Sequence, residues 1–291
     1  MEVSKELIYG LNDRPPLRET LFAALQHLLA IFVAIITPPL IISSALKFDL
    51  ETTGFLVSMS LFVSGLATFI QCKRLGPLGA GLLCIQGTSF SFISPIIGAG
   101  MLGMVGGKMN VEMGLSYIFG ACLVAAFVEM IVSRLLPYTR KIITPLVSGI
   151  VVSLIGMCLI KAGINSCGGG QSAIDAGTFG SMQNLGLAFL VLVSIIFFNR
   201  SSNRFLRMAS IVLGLLIGSI AAYALNMIDF SRISGAGTLN IPTPFKYGLH
   251  FDIGSIIGLG LIYLVTAVEA FGDITANSLI SGEPVEGSVF L

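Results

Sequence analysis

The chain has 291 residues, of which 55% are hydrophobic and only 11% are charged, with a mean hydropathy of +0.94 and a net charge of +1 at pH 7. A soluble globular domain carries about 25% charged residues, so this composition excludes an ordinary soluble protein and indicates a polytopic membrane protein. The near-zero net charge and the absence of a Lys/Arg run give no sign of nucleic-acid binding.

Apolar segments long enough to cross a bilayer, which takes about 20 residues, follow a polar N-terminal stretch over 1–19. The first of them is too long for a signal peptide. With the N-terminus in the cytoplasm, most Lys and Arg residues lie on the cytoplasmic side, and 228–253 forms an extracytoplasmic loop. We predict eight spans, over residues 20–45, 55–72, 78–99, 114–136, 142–163, 184–199, 207–227 and 254–280.

The third span, 78–99, does not have the pattern of a regular helix. Its first half is rich in glycine, and polar and aromatic residues alternate in QGTSFSF at 86–92. Such alternation is typical of a strand, and non-helical backbone inside a membrane occurs only where it is buried in protein or lines a cavity. Broken spans of this kind build the substrate sites of many transporters. The alternative is a glycine-rich helix in tight packing.

The eighth span, 254–280, carries two carboxylates, Glu269 and Asp273, in an apolar segment. Their spacing of four residues puts them on one helix face. Carboxylates in a span are costly to bury and usually face a cavity or a pathway. Removal from water favours the protonated form of a carboxyl group, which suits proton exchange, and a carboxylate can also accept two N–H groups of a heterocycle. The alternative for Asp273 is a solvated position near the cytoplasmic end.

Polar residues in the first and third spans are further candidates. Gln26 and His27 interrupt an apolar run, either as a hydrogen bond that holds the bundle together or as a proton relay. If the third span unwinds, Phe90 can stack on an aromatic ligand while exposed backbone groups bond the ligand's polar atoms. The third-span cluster comprises Gln86, Thr88, Ser89 and Phe90.

Neither an enzyme nor a cofactor site is predicted from the chain. The five cysteines lie mostly in apolar runs without metal-ligand spacing. The run of glycines at 168–170 lacks the context of a phosphate-binding loop. We therefore expect no catalytic residue, metal or cofactor. On the eighth span, Gly272 would allow close backbone approach, and Asn277 is assigned only a capping role.

Several long segments occur in the same order as in a known family. They are QHLLAIFVAIITP, GLLCIQGTSFSFISP, RKIITPLVSGIVVSLIGMCLIKAG, IPTPFKYG and VEAFGDITANS. Through them, almost the whole chain resembles the nucleobase–ascorbate transporter family (nucleobase:cation symporter 2), and within it the bacterial xanthine permeases.

The resemblance implies an all-α fold of fourteen spans in two inverted repeats of seven, with a short strand in the broken third span. Spans 1–4 and 8–11 would form a core domain and spans 5–7 and 12–14 a gate domain. In this chain the core then includes 20–136 and 254–280, and the gate includes 142–227. The chain stops soon after span eight, at a short cytoplasmic end over 281–291, without the Gln-Asn-x-Gly type motif of span ten, so we expect a truncated chain.

The resemblance also implies roles for individual residues. Glu269 would bind the nucleobase, Phe90 would contact it, and Ser89 beside it would tune specificity. Asp273 falls on an important acidic position, and His27 on a histidine that supports the site. Proton coupling is assigned to Glu269 and Asp273. The predicted substrate-binding residues are His27, Gln86, Ser89, Phe90 and Glu269.

The function expected from the resemblance is proton-coupled symport of a purine, with xanthine first, across the cell inner membrane. The proton gradient drives it, and the expected partners are the purine, the proton, membrane lipid and, at full length, a second copy of the chain. Three alternatives remain. One is a permease for urate or another purine or pyrimidine, and one is an inactive fragment that needs a second half. The third is an anion exchanger, against which Glu269 argues.

Overall fold

A computed structural model gives the fold over residues 9–76, 78–139, 150, 153, 156–157, 160, 163–203, 206–207, 209–228, 243 and 245–282. The fifth predicted span, 142–163, lies mostly outside these residues. The elements are α1 Leu17–Ala45, α2 Leu50–Lys73, a 3-10 turn Phe90–Phe92, α3 Ile93–Met101, β1 Met104–Val105, β2 Lys108–Met109, α4 Val111–Thr139, α5 Gly170–Asp175, α6 Met182–Asn199, α7 Ser210–Ala224 and α8 Ile253–Ser281.

Five helices in the described part of the chain are long and apolar enough to cross a membrane, and they belong to α1, α2, α4, α6 and α8. The protein is thus an integral membrane protein of mostly helical structure, which confirms the predicted all-α polytopic class. Within the same residues the strands are β1 and β2, an antiparallel pair that aligns Met104 with Met109. Gly106 and Gly107 join them with positive φ angles of 58° and 80°, as a two-residue hairpin turn requires.

The third predicted span is broken as expected. Residues 79–89 are not helical, and the helical path resumes only at the 3-10 turn. The strand predicted there is wrong, because no hydrogen-bonded ladder forms over these residues. The alternation in QGTSFSF belongs to an irregular segment, in which side chains of α2 bond both backbone groups of Gln86.

The chain divides into two compact units. The first comprises the described parts of Met1–Arg14, Pro38–Gly156 and Pro242–Leu291, and the second those of Pro15–Thr37 and Met157–Ile241. The division cuts α1 beside its two internal prolines, Pro38 and Pro39, and Pro38 lacks the N–H that continues a helical ladder. The assignment of spans to core and gate domains stays a prediction.

The first unit is built around α3, α4 and α8. Ala121 and Ala125 of α4 are fully buried against Leu259 of α8, and such small residues let helix backbones approach closely in a membrane protein. Beside them the ring of Phe92 meets Tyr263 edge to face, with centroids 4.7 Å apart, a favoured arrangement for two aromatic rings. The end of the broken span is therefore anchored to both long helices.

The segment before α8 lies on α4. The backbone N–H of His250 donates to the carbonyl of Ser116 over 3.0 Å, and the His250 Nδ1 atom lies 2.9 Å from the Ser116 hydroxyl. A Cβ atom at Gly120 would lie 2.0 Å from the His250 carbonyl oxygen. Only glycine permits this approach, so Gly120 fixes where the chain crosses α4.

Aromatic rings hold the same segment against α2 and α4. Tyr247 meets Phe55 at 5.9 Å and stacks on Phe119 at 6.2 Å, measured between ring centroids. The Lys246 ammonium lies 5.0 Å from the centre of the Phe55 ring, within the range of a cation–π interaction. The segment is thus tied to both helices before it enters α8.

In the second unit, the glycine run at 168–170 forms a turn. The Asn184 side chain donates to the carbonyls of Gly168 and Thr178, over 3.0 and 3.1 Å. Gly169 has a φ of 108°, and a Cβ atom there would meet the Asn184 amide at 2.4 Å. The run therefore closes a connection that leads into α6.

Replacement of Gly120 by alanine is expected to lower the melting temperature of the detergent-purified protein by several degrees. The added methyl group would displace the backbone at His250, and overpacking costs about 1–3 kcal/mol. The matched control is Gly258→Ala, because nothing lies within 4 Å of a Cβ atom there. Equal melting temperatures for the two variants would contradict this reading.

The cap of α8 predicts a pH dependence. Asp252 accepts from the Ser255 backbone N–H over 2.7 Å and from its hydroxyl over 2.9 Å, and these bonds hold the Asp252 pKa below its ordinary value of 3.8. Because the folded pKa is lowered, the stabilisation is complete above about pH 4 and is lost as pH falls through the folded pKa. The stability difference between wild type and Asp252→Asn should therefore shrink below pH 4, as measured by thermal unfolding. A constant difference would argue against the cap.

Candidate functional site

The broken third span lies in the first unit and starts at the C-terminal end of α2. Gly79 has a φ of 90°, and a Cβ atom there would lie 2.4 Å from the Ile70 carbonyl oxygen. Two residues on, the N–H of Gly81 donates to the carbonyl of Gln71 over 2.9 Å. The glycines that marked this span in the sequence thus allow the chain to turn back along the last turn of α2.

Side chains of α2 bond the backbone of Gln86 on both sides. Its N–H donates to the Thr68 Oγ1 atom over 2.9 Å, and its carbonyl accepts a hydrogen bond from the Ser64 hydroxyl. In a membrane every backbone polar group needs a partner within the protein. Ser64 and Thr68 supply it here, and sequence reasoning missed both. The signal available was a pair of hydroxyls four residues apart on α2.

Helix α8 holds the same segment from its own side. The Asn277 side chain donates to the carbonyl of Leu83 over 2.5 Å and lies beside the Cys84 thiol. Asp273 is close enough to that thiol to interact with it electrostatically. Only a capping role was predicted for Asn277, although its position four residues after Asp273 puts it on the carboxylate face.

Glu269 and Asp273 lie one turn apart on this face of α8, and both side chains are exposed. On the preceding turn Thr266 is buried and donates to the Tyr263 carbonyl over 3.3 Å. A stripe of polar side chains therefore begins at the exposed Glu269 and ends at the half-buried Asn277, which contacts the broken segment.

Ser89 and Phe90 lie where the broken segment becomes helical again. Ser89 has an extended backbone, and its hydroxyl accepts from the Ser91 N–H over 3.3 Å, as at a helix N-cap. Phe90 is the first residue of the 3-10 turn and is half-buried. The end of the segment is thus fixed by a cap, and it brings Gln86, Ser89 and Phe90 into one short stretch.

His27 belongs to the other compact unit. It lies on α1 in the second unit and is exposed, while the other predicted binding residues lie in the first. Its role in substrate binding stays a prediction. The side chain of Gln26 lies outside the described residues. In the described part of the chain, no group of three or more His, Cys, Asp or Glu residues could hold a metal ion.

Known proteins match the chain over nearly its whole length. A model of the Permease family, Xan_ur_permease, matches residues 18–289. Xanthine permease XanP of Escherichia coli K12 is 46% identical over 289 residues, which cover 99% of this chain and 62% of that protein. Xanthine permease XanQ of the same strain is 44% identical over 98% of this chain and 61% of its own length. The xanthine permease of Bacillus subtilis is 31% identical over 90% of this chain and 58% of its own length.

The Asn277 contact yields a testable expectation. Asn277→Leu removes the donor at similar side-chain size and leaves the Leu83 carbonyl without it, so the free energy of unfolding should fall by about 0.5–1.5 kcal/mol. Thermal unfolding in detergent measures the change. Ser281→Ala is the control, because it removes a hydroxyl that bonds the Asn277 Oδ1 atom and leaves the Asn277 donor to Leu83 in place. If Asn277→Leu proved as stable as Ser281→Ala, the contact would have no role in holding the segment.

Proposed function

The chain belongs to the Permease family, the nucleobase–ascorbate transporters, and on this basis we propose that it binds a purine, xanthine first, for proton-coupled uptake across the cytoplasmic membrane. The observation that carries the proposal is the stripe from Glu269 to Asn277, which contacts the broken span. The chain spans about 60% of the length of the E. coli relatives it matches. Activity, substrate and partners are therefore proposed for the whole protein to which it corresponds.

Binding would use two parts of the first unit, helix α8 and the broken third span. Xanthine is a planar heterocycle with several N–H donors and carbonyl acceptors. Glu269, exposed on α8, can accept two N–H groups of such a ring, and hydrogen bonds to a charged acceptor are the stronger ones. The Phe90 ring offers a stacking partner, and Ser89 and Gln86 lie on the same short stretch. Xanthine leads because three of the matched relatives are named xanthine permeases.

Proton coupling would follow from the pair of carboxylates. Glu269 and Asp273 are like charges on one turn, which disfavour each other when both are ionised. A proton on one of them relieves this repulsion and leaves the other free to accept purine N–H groups. Coupling in this scheme is a change in purine affinity with the protonation of a neighbouring group.

The remaining parts of the proposal concern the whole protein. The N-terminus would lie in the cytoplasm, following the bias of Lys and Arg between loops. Spans over 20–136 and 254–280 would move as a core against a gate that includes 142–227. His27 would support the site from the first span, and a homodimer would be the working unit.

Uptake of radiolabelled xanthine by cells that lack xanthine permeases tests the proposal. The chain is expressed alone and together with the C-terminal part of XanP that lies beyond the match. Uptake that collapses with a protonophore is the expected result for at least the combined form. No xanthine uptake by either form, at normal membrane abundance, would overturn the function, and uptake of urate in its place would change the substrate.

In the form that takes up xanthine, Glu269→Gln is expected to reduce uptake about 10- to 100-fold, because a hydrogen bond to a charged group contributes about 1.5–3 kcal/mol. Glu112→Gln is the matched control, since Glu112 is an exposed carboxylate in the first turn of α4. Membrane abundance of both variants is measured by immunoblot. Wild-type uptake by Glu269→Gln would remove Glu269 from the site.

A further inference from the structure

We propose that Ser64 and Thr68 of α2 are positioning residues for the purine site, which act by holding the backbone of Gln86. Their effect on purine affinity rests on the function proposed above. Neither side chain lies in the group of residues expected to touch the purine. Both act on the segment that carries those residues.

The geometry of the pair is that of a substitute for a strand. In an antiparallel ladder, one residue has both its N–H and its carbonyl bonded to the same partner residue. At Gln86 the N–H is bonded by Thr68 and the carbonyl by Ser64. Residues four apart lie on the same face of a helix, one turn apart, so Ser64 and Thr68 can both face Gln86. Helix α2 thus does for Gln86 what a second strand would do.

A neighbouring serine on α2 bonds within its own helix, unlike Ser64 and Thr68. Ser60 donates to the carbonyl of Leu56, four residues back, over 2.8 Å, the usual way for a serine in a helix to satisfy itself. Ser64 is buried, and its hydroxyl instead reaches a residue 22 positions along the chain. The bonds of Ser64 and Thr68 are therefore long-range contacts between α2 and the broken span.

Loss of these bonds is expected to weaken the affinity for xanthine more than it lowers the maximal rate of uptake. Gln86 lies four residues before Phe90 in the same irregular stretch, which has no ladder to fix it. A segment that must be ordered on binding weakens the affinity for the ligand, whereas a pre-organised one does not. The expected signature is a higher KM for xanthine with little change in maximal rate or in membrane abundance.

The test compares Thr68→Val, which keeps the shape but removes the hydroxyl, with Thr68→Ser, which keeps the hydroxyl. Ser64→Ala and the double variant complete the series, and Ser60→Ala is the control on the same helix. The first readout is the KM and maximal rate of xanthine uptake in the form of the protein that transports. Thr68→Val should raise KM about tenfold and the double variant further, while Thr68→Ser and Ser60→Ala stay within twofold of wild type.

A second readout does not depend on xanthine. Cys84 lies on the broken segment two residues before Gln86 and is half-buried. With the other four cysteines replaced by serine, the rate at which N-ethylmaleimide alkylates Cys84 reports the freedom of the segment. Thr68→Val should raise this rate several-fold, and Thr68→Ser should not.

The two readouts separate the possible failures. An unchanged alkylation rate in the double variant would overturn the proposed hold on Gln86. A raised rate with an unchanged KM would overturn its role in purine binding. Absence of xanthine uptake by the wild type would overturn the proposed function instead, and the alkylation rates would still decide whether α2 holds the segment.

Discussion

The need to give every backbone polar group a partner inside the protein governs this structure. Lipid offers no hydrogen bonds, so a helix that stops in a span must have its free N–H and carbonyl groups bonded by something else. In the third span the partners include side chains: hydroxyls of α2 bond Gln86, and the amide of Asn277 bonds Leu83. The carboxylates of α8 lie on the same helix face as that amide, so the same contact that satisfies the break also brings the acidic groups to it.

Small residues provide the space that this arrangement needs, because they let backbones approach closely. Ala121 and Ala125 bring α4 against α8, and Gly79 lets the broken span return along α2. In the second unit Gly214 and Gly218 of α7 do the same, since Cβ atoms there would meet Ile195 and Val191 at 2.4 Å. Packing between helices in a membrane depends on such close approach, because burial of apolar surface brings little gain where the surroundings are lipid.

Much of this fold could be read from the sequence, because a span leaves a strong and simple signal. The runs over 20–45, 114–136 and 254–280 correspond to α1, α4 and α8, with ends that differ by a few residues. The break in the third span followed from its glycines, but its strand did not form, since alternation alone cannot reveal whether a second strand is present. The roles of Ser64, Thr68 and Asn277 were missed for the same reason: each depends on a contact between residues far apart in sequence.

The contact between His250 and α4 has a consequence for the distant end of α8. A helix that enters its path one residue early or late is shifted by 1.5 Å and rotated by about 100°. Such a rotation would turn Glu269 and Asp273 away from the broken span and bring apolar neighbours in their place. Gly120 fixes where the chain crosses α4. It therefore also sets the rotation of α8 and, with it, the direction in which both carboxylates face.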